Sequence, residues 1–238
     1  MDWLISDLMS LAMIAFAAAL VGFFGLSRVA VLIPALMKRE IDTFIANEGS
    51  SDIQLKGTTK RLAVMMGVAS STVSALTFLE FGFTIKALVF IILAMALIIA
   101  SAIDLRYKLL PDMISLPILW LGLLVNLDNG FTDIRSAVIG AAAGYAFLFI
   151  ISRMFVLVAG REGMGDGDLK LLALIGAWGG WQILPVTLLL SSILGVLVAV
   201  YYLSRQGGTG SFPFGPALSA AGLISILFLD KIPLYAMI

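Results

Sequence analysis

The 238-residue sequence contains no cysteine and no histidine. Their absence excludes disulfides, thiol nucleophiles, zinc sites of the Cys/His kind and every Ser-His-Asp or Cys-His mechanism. Any chemistry must come from carboxylates, Lys, Tyr, Ser or Thr. Charge is also scarce: 13% of residues are charged and 61% hydrophobic, whereas an average globular protein has about 25% charged and about 45–50% apolar residues. Fifteen basic residues balance fifteen acidic ones, and a net charge of zero gives no electrostatic basis for nucleic acid as a partner. No basic segment precedes the first apolar run, which follows Asp2 and Asp7. The N-terminus therefore reads as a first membrane span and not as a cleaved signal.

What the sequence does have is a series of long uncharged stretches, at 8–27, 62–79, 87–103, 113–127, 136–152, 171–204 and 206–229. A membrane span takes about 20 residues, so the stretch 171–204 is too long for one helix. Gly176, Gly179, Gly180 and Pro185 interrupt it, and such residues break helix continuity. Divided at Trp181 and Gln182, it becomes two helices. The expected fold is an all-α polytopic membrane protein with about eight transmembrane helices. Residues 1–61 would supply the first span and a short polar loop, and residues 62–238 a seven-helix core. Within the loop, Ile41, Phe44 and Ile45 fit a short amphipathic helix at the membrane surface. Small residues at Ser70 and Ser71 and at 141–144 predict close helix packing.

Orientation follows from the basic residues, because loops retained in the cytoplasm are enriched in them. Arg28, Lys38, Arg39, Lys56, Lys60, Arg61, Arg106, Lys108, Arg153, Arg161, Lys170 and Arg205 fall on one side, against Lys86, Arg135 and Lys231 on the other. Twelve against three predicts that both termini lie outside the cytoplasm.

Ionisable groups at membrane depth are costly and so mark functional sites. Two cytoplasmic-side segments carry carboxylates next to apolar spans: Asp104 with Asp112, and Asp166 with Asp168 in the run Gly163-Met164-Gly165-Asp166-Gly167-Asp168. Asp112 follows Pro111 and precedes an apolar helix, the position of an N-cap, and is read as one. Asp168 also precedes a helix, so a cap and a catalytic role are equally open for it on this ground. Asp104 ends a helix, the unfavourable end of the dipole for a negative charge. Spacing excludes a P-loop, since Asp166 stands where Lys is required, and a dinucleotide fingerprint, whose third glycine would be Asp168. It also excludes an EF-hand, whose twelfth position would be Ala177. Two facing aspartates sharing a proton can hydrolyse a peptide without His, Cys or metal: one takes a proton from water while the other polarises the carbonyl. No metal or cofactor is required.

The residues around both aspartates resemble the bacterial type IV prepilin peptidases, the GxGD aspartyl proteases of the membrane that serve type IV pili and type II secretion. Asp104 with Leu109-Leu110-Pro111-Asp112 resembles the first aspartate motif of that family. Glu162-Gly163-Met164-Gly165-Asp166-Gly167-Asp168-Leu169-Lys170 resembles the second, and Phe212-Pro213-Phe214-Gly215-Pro216 the start of the last span. The resemblance implies that Asp104 and Asp168 are the catalytic pair. Gly165 and Gly167 would belong to the signature, with Asp112 and Lys170 as motif residues that bind substrate or hold structure. It implies a prepilin or pseudopilin substrate, cleaved at the cytoplasmic edge of the bacterial inner membrane. It also implies that the Cys-x-x-Cys pairs associated with N-methyltransferase activity in most bacterial members have no counterpart here, so that methylation is not expected. Two other readings fit the composition: a small transporter or channel with intramembrane carboxylates, and a membrane scaffold in which the aspartates are helix caps. The oligomeric state is not read from the sequence.

Overall fold

The computed structural model describes residues 60–160, 164–206 and 213–228. They form α1 (Lys60–Phe81), α2 (Ile85–Tyr107), α3 (Asp112–Val125), α4 (Ile134–Ala159), α5 (Asp166–Gly179), α6 (Leu184–Gln206) and α7 (Gly215–Leu227), with short 3-10 turns at Asn126–Asp128 and Trp181–Ile183. No strand occurs among the described residues. Each helix falls on one of the seven apolar segments expected after the first span. The first span itself and the amphipathic helix around Ile41, Phe44 and Ile45 lie outside the described residues.

Among the described residues, four segments are long and apolar enough to cross a membrane: Val64–Phe81, Ile85–Tyr107, Ile134–Ala159 and Trp181–Val200. The other three helices are shorter, at 14 residues for α3, 14 for α5 and 13 for α7. At 1.5 Å per residue these rise only about 20 Å, less than the roughly 30 Å of a hydrocarbon core. Uncharged length overstated the last of them most. The run 206–229 is free of charge, yet α6 continues to Gln206 and α7 begins only at Gly215.

The chain divides into two compact units, residues 1–102 and 103–238. In the first, α1 ends at Gly82, whose left-handed φ of 60° suits glycine and whose N–H bonds the Phe78 carbonyl. Thr84 then caps α2 by accepting from the Ala87 N–H at 3.2 Å. The turn is short because Gly82 closes one helix and Thr84 opens the next.

The second unit is built around α5. Leu169 and every residue from Leu171 to Gly180 are buried, as expected of a helix that is apolar all round. It packs against α3, α4 and α7. Gly140 of α4 and Gly176 of α5 meet so closely that a Cβ on either would strike the other's carbonyl oxygen, and a Cβ on Gly144 would lie 2.8 Å from the Leu172 oxygen. Glycines four residues apart thus let two backbones touch. The close packing expected at 141–144 is delivered by Gly144 and its neighbour Gly140, while Ala142 is exposed. Trp178 is fully buried, lies against Gly122 and donates its indole N–H to the Ile118 carbonyl at 2.8 Å.

The C-terminal end of α5 is held by Asn126, which is fully buried. Its amide donates to the Ala177 and Trp178 carbonyls at 2.9 and 3.0 Å, and its Oδ1 accepts from the Phe131 and Thr132 N–H groups at 2.9 and 3.1 Å. One side chain therefore satisfies orphan carbonyls at a helix end and the backbone of the loop that leads to α4. Beyond it the chain reverses at Gly180, with φ of 81°.

Outside this core, α4 exposes Val138, Ile139, Phe147, Ile150, Ile151, Met154, Leu157 and Val158. A continuous apolar surface of this kind belongs against lipid and not water.

Candidate active site

Asp104 does not begin a loop. The hydrogen-bond ladder of α2 continues past it to Tyr107, which places Asp104 in the last turn of α2, within the second unit. A charged residue marks where the apolar stretch stops, not where the backbone ladder stops. The chain leaves the helix at Lys108, a non-glycine residue with φ of 53°, whose N–H bonds the Asp104 carbonyl at 2.8 Å. The Asp104 side chain is 6% exposed, so its polar partner matters. Its Oδ2 accepts from the backbone N–H of Gly215 at 2.9 Å.

Gly215 is the first residue of α7 and follows the N-cap Phe214. Asp104 thus stands at the unfavourable C-terminal end of its own helix and at the favourable N-terminal end of another. A Cβ on Gly215 would lie 2.6 Å from Asp104 Oδ2, so glycine is what lets the amide reach the carboxylate. Sequence reading did not place Gly215 in the site. Its signal was its place in Phe212-Pro213-Phe214-Gly215-Pro216, the segment that resembles the start of the last span.

Asp168 is not the N-cap of α5. Gly165 holds that position, and Asp166, Gly167 and Asp168 are the first three residues of the helix. Burial pushes the Asp168 carboxyl up to about 7, and the charge of Asp104 pushes it the same way. Two acidic groups separated by 63 residues in sequence are therefore electrostatic neighbours, with desolvation the larger effect. The exposed Asp166 projects from the preceding turn position.

The N-cap reading of Asp112 is wrong. Pro111 occupies the N-cap and no side chain caps the helix. Asp112 is instead gripped by Lys170, whose Nζ donates to Oδ1 and Oδ2 at 2.6 and 2.7 Å. A partner 58 positions away outcompetes the local backbone N–H groups because its positive charge strengthens both hydrogen bonds. Lys170, which the resemblance gives as a motif residue that binds substrate or holds structure, binds Asp112.

The two signature glycines differ. A Cβ on Gly167 would lie 2.6 Å from the Cβ of Leu110, whereas a Cβ on Gly165 meets nothing within 4 Å. Gly165 has φ of −75° and ψ of 147°, a conformation open to any residue. Among the described residues no group of three or more carboxylates gathers as a metal site would need. The chemistry on offer is that of a carboxyl pair.

The model of the type IV leader peptidase family matches residues 91–200, which include Asp104, Asp168, Gly165 and Gly167. That stretch of the chain belongs to the family. Among curated relatives, the prepilin leader peptidase/N-methyltransferase of Pseudomonas putida is 48% identical over 170 residues, covering 71% of this chain and 59% of the relative. The protein of the same name from Pseudomonas aeruginosa is 45% identical over 170 residues, with the same coverage of 71% and 59%. That of Aeromonas hydrophila is 47% identical over 144 residues, covering 60% of this chain and 50% of the relative. The chain thus spans between half and three fifths of the length of these relatives. No solved structure matches it. With residues 91–200 matching that family and, among the described residues, four segments suited to crossing a bilayer, the chain is a multi-pass membrane protein.

Proposed function

We propose that the chain is a membrane aspartyl endopeptidase that removes the leader of type IV prepilins or pseudopilins at the cytoplasmic face of the bacterial inner membrane. The observation that carries this reading is the convergence of three distant segments on one carboxyl pair. Asp104 sits in the last turn of α2, Asp168 in the first turn of α5 where the charge of Asp104 acts on it, and Gly215 opens α7 with its N–H on Asp104. The names of the relatives supply the substrate class.

In this mechanism Asp104 takes a proton from a water molecule, whose oxygen adds to the scissile carbonyl carbon. Asp168, held up at about 7, gives its proton to the carbonyl oxygen. The tetrahedral intermediate then collapses: the C–N bond breaks, the proton gained by Asp104 passes to the leaving amine, and one hydroxyl returns its proton to Asp168 as the new carboxyl group forms. A carboxyl pair so coupled titrates as a unit. The twelve-to-three distribution of basic residues favours an eight-span arrangement with this site on the cytoplasmic side. In that arrangement residues 1–61 precede a seven-helix peptidase core. Only the peptidase half of the relatives' name is carried over, because these 238 residues contain no cysteine with which to build the paired Cys-x-x-Cys motifs.

The test is leader removal from a co-expressed prepilin, read by mass spectrometry of the pilin in a host without another such enzyme. The parent chain should release a pilin with an unmethylated amino terminus. Asp104→Asn and Asp168→Asn should each reduce processing at least a thousand-fold while still inserting in the membrane. Full processing by either variant would refute the assignment, and a methylated product would refute the restriction to peptidase activity.

A further inference from the structure

We propose that the Lys170–Asp112 ion pair and the Leu110–Gly167 contact form a clamp that sets the approach of Asp104 to Asp168, making Asp112 and Lys170 positioning residues. This rests on the peptidase reading above and extends it to residues outside the carboxyl pair.

The geometry is that of a short link fastened at two points. The chain turns at Lys108 directly after the Asp104 helix, and only Leu109, Leu110 and Pro111 intervene before α3 starts at Asp112. Leu110 lies over Gly167, where a Cβ would be 2.6 Å away. Asp112 is bound through both oxygens by Lys170. Gly167 immediately precedes Asp168 and Lys170 is two residues beyond it, so both attachment points flank Asp168 on α5. That helix is buried at Leu169 and from Leu171 to its end and is held at its far end by Asn126. Loosening the link would therefore move the Asp104 side of the pair and leave the α5 side in place.

The ion pair is 29% exposed at Lys170 and 51% exposed at Asp112, and exposed pairs contribute little to stability. Geometry has more at stake, since a misplacement of about 1 Å at a reacting group can cost on the order of 100-fold in rate. The charged pair supplies direction and the glycine contact supplies distance.

The absence of cysteine in the parent sequence gives a direct test with the full chain in lipid nanodiscs. Spin labels at Met113→Cys and Asp166→Cys, both exposed positions, report the separation of the link from α5, and cleavage of a purified prepilin gives kcat and KM. Asp112→Asn and Lys170→Met should each lower kcat at least tenfold with KM changed less than twofold, and should broaden the label distance distribution. Lys170→Arg should stay close to the parent, and the exchange Asp112→Lys with Lys170→Asp should recover kcat and narrow the distances. Parent-like kcat in either single variant would overturn the clamp. So would distances as narrow as the parent's in both, or a loss that neither Lys170→Arg nor the exchange repairs. A parent chain that cleaves nothing refutes the peptidase reading instead, and the distance measurements then decide the clamp alone.

Discussion

At the scale of the residue, Gly165 and Gly167 stand two positions apart under different physical demands. Gly167 leaves no room for a Cβ beside Leu110, and Gly165 leaves open space in a backbone conformation any residue can adopt. Gly167→Ala should therefore lower cleavage at least tenfold, whereas Gly165→Ala should stay within about threefold of the parent in the same prepilin assay. Loss in the second variant would show that the first glycine makes room for bound substrate. The Asp168 carboxyl carries a pH signature of its own. The folded chain keeps its proton up to about 7, while the unfolded chain releases it near 3.8. Folding therefore loses stability as pH rises between those values and levels off above them. Asp168→Asn should melt higher than the parent at pH 8, by on the order of 2 kcal/mol, with the gap closing by pH 4. A constant gap, read by thermal melting in detergent, would contradict this. The aspartates also show what a sequence conceals. Asp112 has the local pattern of a cap, yet it binds Lys170; Asp133 caps α4, its Oδ1 accepting from the Ser136 N–H at 3.0 Å. Local spacing is the same kind of signal in both cases, and a charge supplied from another helix decides between them.

At the scale of the element, the seven described helices were legible because charged residues gather at their ends and glycine marks their breaks. The division of 171–204 at Trp181 and Gln182 lands on the turn that follows Gly180. Helix limits were less legible. Asp104 and Asp168 sit inside helical turns, not in loops, because a charge does not stop a hydrogen-bond ladder. The role of Asn126 left no trace in composition, since its partners lie 51 and 52 positions away. Asn126→Ala would leave buried carbonyls and N–H groups without partners. It should destabilise the chain by on the order of 3 kcal/mol, measured as a lower melting temperature in detergent. An unchanged melting temperature would mean that water replaces the side chain. The Asp104–Gly215 bond, between residues 111 positions apart, was beyond reach for the same reason: motifs can be found singly in a sequence, but which of them touch is a property of the fold.

At the scale of the whole molecule, apolar composition announced membrane helices, and the described helices differ widely in length. The helix that carries Asp168 is among the shortest described, and α3 beside it is no longer. Met113, Leu116, Trp120 and Leu124 of α3 are nevertheless exposed, and so would meet acyl chains. A rise of about 20 Å cannot match an unperturbed bilayer, which responds to such mismatch by thinning. Lipids near α3 should accordingly be drawn inward, lowering the water boundary toward the carboxyl pair. Deformation of the bilayer would then bring the water that the proposed hydrolysis needs. Reconstitution into a series of phosphatidylcholines from C14 to C22 acyl chains should show kcat falling severalfold as the chains lengthen. Rates independent of thickness would mean that water reaches Asp168 wholly through the protein.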